Sequence, residues 1–313
     1  MNQPSNTGPE LPNESKLTAP APMSQTRPLY WSVRRELWEN RAIYIAPLIA
    51  AGVVLVGFAL STIGMPERRR AALLLDPTQL RAAIEMPYDI VAMMLMFTAF
   101  IVKVFYCLDA LHGERRDRSI LFWKSLPVSD LTTVLAKVSV PLVILPLLTF
   151  VVIATTHLIM MLMTTAVLLP SGLGGTTWKH LPFVQMAVVL LYSLVTITLW
   201  HAPIYGWLLL VSGWARRATF LWAVLPWLAV CAIEKIAFNT SHFAAMLGRR
   251  MTGYEQAFVF VKRSRGAVIP VVDRLNQLDP LKFLSSPGLW IGLVLAAAFL
   301  AAAVRLRRYR GPL

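Results

Sequence analysis

At 313 residues, with 57% hydrophobic and only 15% charged residues and a mean hydropathy of +0.59, the chain falls outside the range of soluble globular proteins and inside that of membrane proteins. Its formal charge of +14 does not mark a nucleic-acid binder, because the basic residues punctuate the ends of apolar runs and form no single stripe. The two cysteines, Cys107 and Cys231, fall within apolar runs without ligand-spaced neighbours, which indicates neither a disulfide framework nor a zinc site.

Residues 1–26 are polar and rich in Pro, Asn and Ser, with no basic start, apolar core and cleavage site, and read as a disordered cytoplasmic tail rather than a signal peptide. Residues 27–41 predict an amphipathic interface helix. Tyr30, Val33 and Leu37 recur at three and four with Trp38 beside them, and Arg34, Arg35, Glu36 and Glu39 fall elsewhere on its surface. Six runs then approach or exceed the roughly 20 apolar residues that cross about 30 Å of hydrocarbon. They are Ala42 to Gly64, Tyr88 to Leu111, Val138 to Leu169, Phe183 to Ser212, Thr219 to Phe238, and Leu289 to Val304, the last only about 16 residues long. Residues 42–304 therefore read as one all-α, six-span membrane domain, followed by a basic cytoplasmic tail at 305–313.

The connections carry their own signals. Met65 to Met86, broken by Pro66, Pro77 and Pro87, reads as a short solvated segment. The loop at 112–130 is charged and amphipathic, and Ser129 is placed to cap a helix that starts at Asp130 and runs towards Leu169, too long for a simple crossing. Pro141 and Pro146 mark a hinge in that helix, since each removes an amide donor and clashes with the preceding turn. Gly172, Gly174 and Gly175 lack the Lys-Ser/Thr ending of a phosphate loop. The external segment 239–287 is apolar at Ala257 to Val261 and Ala267 to Val272, which suggests short helices resting on or dipping into the outer leaflet. With the amino terminus inside, about 16 Lys and Arg lie on the cytoplasmic side against about 12 outside. Both termini are thus expected in the cytoplasm.

Polar groups within the spans are few. Lys103 and Asp109 are six residues apart and off one helical face, so they are not expected to pair. Lys103 and His157 are candidates for a polar transport path, against the plainer readings of snorkelling and interhelical hydrogen bonding; His201, Glu234 and Lys235 belong to the latter class. No peptidase, esterase, redox or nucleotide-binding motif occurs, so no catalytic, cofactor-binding or metal-binding residue is assigned.

The run Gly113 to Asp130, with the acidic-basic start of Glu114 to Arg118, the apolar Ile120 to Trp123, the turn Leu126-Pro127-Val128-Ser129, and Lys137 shortly after, resembles the segment after the second span of type-2 ATP-binding-cassette (ABC) transporter permeases. The resemblance covers about Arg27 to the end and implies six spans, a coupling helix between the second and third, and an external insertion before the sixth. It implies that Asp117, Arg118, Ile120, Leu121, Phe122, Trp123 and Lys124 meet two cytoplasmic ABC ATPase subunits, and that a second permease copy or related chain completes the path. No cofactor would be bound by this chain; ATP and Mg would belong to the partner, so the chain itself is not an enzyme. The loop departs from the family at Arg118-Ser119, where many members carry Gly-Thr, and it lacks the Glu-Ala-Ala loop of import-type permeases, which favours export. Localisation is expected in a bacterial plasma (inner) membrane, with the bilayer and no nucleic acid as surroundings. Two other classes compete: a membrane-embedded lipid-modifying enzyme using His157 and His201, and a non-transporting assembly subunit.

Overall fold

The computed structural model describes residues 26–125, 128–252 and 278–310; the expected tail before Thr26, Leu126 and Pro127 of the turn, and the apolar stretches Ala257 to Val261 and Ala267 to Val272 lie outside them. Among the described residues all helices and no strands form the architecture, and six helices are long and apolar enough to cross a membrane.

Helix α1 (Thr26–Glu39) leads through Asn40, whose side chain donates to the Glu36 carbonyl at 3.1 Å, into α2 (Ala42–Ser61). Gly64, at φ 69°, supplies the left-handed turn that opens α3 (Met65–Ala72), with Pro66 in its first turn. Here the structure departs from expectation, because α4 (Pro77–Asp109) starts at Pro77 and runs straight through Pro87. Leu80, Ile84, Tyr88, Val91 and Leu95 are all buried at helical spacing. Burial of a large apolar side chain contributes about 1.5–3 kcal/mol, so two of these offset the roughly 3 kcal/mol of an internal proline. The segment before Tyr88 is thus helical on both sides of an exposed stretch at 73–79, with Arg69, Leu80, Ile84 and Glu85 turned inward.

Short helices α5 (His112–Arg116) and α6 (Ser119–Ser125) fill the loop after the second span. Ser129 caps α7 (Asp130–Ser139), its hydroxyl accepting from the Thr132 amide at 3.0 Å, as its position predicts. A π-turn over Val140–Ile144, which contains Pro141 and is followed by Pro146, separates α7 from α8 (Leu145–Leu168). After α9 (Thr176–His180) come α10 (Phe183–Trp214) and α11 (Thr219–Phe238), on which Ala223 is the one residue classed as buried.

Helices α12 (His242–Thr252) and α13 (Pro280–Ser285) lie towards the two ends of segment 239–287. The carbonyl of Met251 lies 3.1 Å from His201 Nε2, so α12 folds in beside the middle of α10. The last span, α14 (Pro287–Tyr309), is 23 residues long, longer than expected from its apolar run. Pro287 starts it two residues early, and it continues past Arg305 because Arg307 is buried among carboxylates instead of facing water. It lies against α10 at Gly206, where a Cβ would come 3.2 Å from the Ala296 carbonyl oxygen.

Candidate coupling site

An ionic node lies where α1, α5, α7 and α14 meet. Glu36, fully buried, accepts from Lys137 Nζ at 2.8 Å, from Arg35 at 2.8 Å and from the Tyr106 hydroxyl at 2.9 Å. Glu114, also buried, is held by Lys137 at 3.0 Å, Arg35 at 2.9 Å and Arg307, which reaches on to Asp130 at 3.1 Å. Three cations thus face three carboxylates, drawn from four helices spread along the chain. This balance makes burial of the charges tolerable, since an ion removed from water without a partner costs several kcal/mol.

The electrostatics of Glu36 follow from this geometry. Burial, the largest single influence, pushes its carboxyl upward, but Lys137 and Arg35 together hold it below the usual carboxylate value. A depressed folded value means that the stability it contributes is fully present above an unfolded value of about 4.3 and is lost as pH falls through the folded one. The thermal midpoint in neutral detergent should therefore be nearly flat from about pH 7 to 5 and fall below about pH 4.3, and Glu36→Gln should make that fall shallower.

Loop 112–130 is mounted on this node and on the end of α10. Ser212 Oγ accepts from the Leu111 and His112 amides, each at 2.9 Å, and Arg115 donates to the Gly213 carbonyl at 2.8 Å. Arg310 closes the same helix end by donating to Trp214 at 2.7 Å. On α6, Ile120 is buried and Trp123 receives the Arg35 guanidinium 3.9 Å above its ring. Leu121 and Phe122 point the other way, 59% and 60% exposed, beside the exposed Asp117, Arg118 and Lys124. Of the seven residues expected to meet a partner, Ile120 therefore anchors the loop from beneath, Trp123 props it on Arg35, and five form an outward face.

Arg118 opens α6 in the left-handed conformation, φ 58°. That is where the resembled family often carries glycine, and a side chain there costs about 1–2 kcal/mol. Offset by the greater freedom glycine gives the unfolded chain, Arg118→Gly is expected to raise stability by up to about 1 kcal/mol in a thermal unfolding series.

Glu36, Glu114, Lys137, Tyr106 and Arg307 were not assigned to a site from sequence. The available signal was position: Glu36 lies three residues after Val33 and next to Leu37, on the edge of the apolar stripe of α1, instead of on its outer surface. Elsewhere, the two polar candidates of the spans are not brought together. Lys103 lies against Thr198 and Tyr205, whereas His157 bonds the Tyr88 carbonyl at 3.0 Å and meets the Tyr88 ring edge-on. The His201 ring lies 6.4 Å from that of Tyr205, which Lys103 also faces, and Asp109 faces Arg116. No group of three His, Cys, Asp or Glu suited to a metal occurs among the described residues. Against family models, curated proteins and solved structures, the chain finds no match.

Proposed function

We propose that this chain is the membrane-spanning permease subunit of an ABC transporter of export type, whose spans move cargo when two separate cytoplasmic ATPase subunits close on loop 112–130. One observation carries the reading: the exposed Leu121-Phe122 pair is fixed from beneath by Ile120 and Trp123 to a node shared by α1, α7 and α14. An apolar pair on a charged rim suits docking into a partner groove. A push on α6 reaches Arg35 and Glu114 first, then Lys137 at the foot of the third span and Arg307 at the foot of the sixth, so that both spans tilt together about the π-turn. The chain contributes the lever; ATP and Mg reside in the partner, and a second permease copy or related chain supplies the other half of the path. The amino and carboxyl termini then lie on the ATPase side of a bacterial plasma membrane.

The test is affinity purification of the full chain from its native membrane in mild detergent, followed by assay of co-purifying ATP hydrolysis in nanodiscs. A retained ATPase whose turnover responds to the permease supports the reading. A well-folded chain that recruits none sinks it.

A further inference from the structure

We propose that Lys103, Tyr205 and Arg250 form a receptor within the helix bundle for an anionic headgroup borne on an apolar tail. Lys103 is 4% exposed, and its one hydrogen-bond contact among the described residues is a long one, 3.5 Å from Nζ to Thr198 Oγ1, with the Tyr205 ring 5.6 Å away. Tyr205 is buried and its hydroxyl has no hydrogen-bond partner among the described residues. Arg250 comes from α12, donates Nη1 to the Gly288 carbonyl at 2.9 Å and lays its guanidinium over Trp200 at 4.6 Å, while its enclosed Nη2 has no partner among those residues. The guanidinium sits on the bare backbone of Gly292, where any side chain would collide with it. The carbonyl of Met251, the residue after Arg250, lies 3.1 Å from His201 Nε2, and the His201 and Tyr205 rings are 6.4 Å apart.

Neither Lys103 nor Arg250 meets a carboxylate among the described residues, in contrast to the balanced node around Glu36. Cations are kept inside an apolar bundle where they meet a carboxylate or backbone carbonyls, or where they serve a ligand. The ammonium, guanidinium and phenol all have a hydrogen to donate, which selects an oxygen-rich anion such as a phosphate or carboxylate. Aromatic rings surround these groups, Phe100 and Tyr205 beside His201 and Trp200 beneath Arg250, so a headgroup attached to an apolar chain reaches them with less loss of hydration than a free ion. The role of that amphiphile as cargo rests on the permease reading; its binding does not.

The full chain in neutral maltoside detergent is unfolded thermally with dodecyl phosphate, with inorganic phosphate or with dodecyltrimethylammonium. Dodecyl phosphate is expected to raise the Tm saturably and the other two to leave it unchanged. Lys103→Met and Arg250→Gln should each weaken that effect roughly tenfold or more, the size expected for one charge-assisted hydrogen bond. Without ligand, Lys103→Met should be as stable as the wild type or more so, because an uncompensated charge has gone. Equal stabilisation by the cationic amphiphile, an unchanged response in both variants, or an equal response to inorganic phosphate overturns the proposal. So does Glu255→Gln or Asp273→Asn, at carboxylates outside the described residues, if either alone lowers ligand-free stability and Lys103→Met abolishes that loss. The readout uses the isolated chain, so failure to recruit an ATPase leaves it standing, and absence of anion binding leaves ATPase coupling intact.

Discussion

Lys137→Met is expected to lower folding stability by about 3–5 kcal/mol, the cost of breaking a buried ion pair from one side. Lys137 is 2% exposed in its side chain and bridges Glu36 and Glu114, so its removal leaves three carboxylates to two cations in a water-poor site. Adding Glu36→Leu restores the balance, with Arg35, Glu114, Arg307 and Asp130 still paired. The double variant should therefore recover part of the loss, with a coupling energy of about 1–3 kcal/mol in a double-mutant cycle of unfolding in mixed detergent micelles. Strictly additive losses would mean that Lys137 acts through packing of its stem and not through charge.

The second large effect lies on the opposite side of the same loop. Leu121→Ala with Phe122→Ala should leave stability within about 0.5 kcal/mol, since both side chains are exposed. The same change should weaken ATPase association more than about 100-fold, each truncation removing an apolar anchor of about 2 kcal/mol. Ile120→Ala provides the contrast, because the residue is buried beneath the loop and its truncation should cost about 2–5 kcal/mol of stability instead. Affinity in nanodiscs and thermal midpoint in detergent, measured on all three forms, separate a contact from a support.

The spans were legible because length and apolar content decide them, and the cap at Ser129 because one hydroxyl at one position satisfies one amide. The start of the second span was misplaced, because a proline rule is local whereas the stripe from Leu80 to Leu95 that overrides it is buried by helices distant in sequence. The node was illegible for a similar reason. Glu36, Glu114, Lys137 and Arg307 are spread from the first helix to the last, and periodicity says which face a residue shares but not what stands opposite. Read one at a time, each charge looks solvated; only their meeting makes burial affordable. Phe122 and Trp123, adjacent in sequence, received one role and have two, because α6 turns one outward and the other onto Arg35.

The π-turn at Val140–Ile144 sets the angular phase of the third span. Thr133, Lys137, Pro141, Leu145 and Thr149 are all buried, an advance by fours that would drift about 160° around an uninterrupted α-helix. Widening one turn absorbs about one residue, or about 100° of that drift, so the foot of the span can present Lys137 to the node while its far half presents His157 to Tyr88. Losing a single residue between Pro141 and Pro146 would restore ordinary winding and swing one half relative to the other by the same angle, so that here a change in length acts as a rotation.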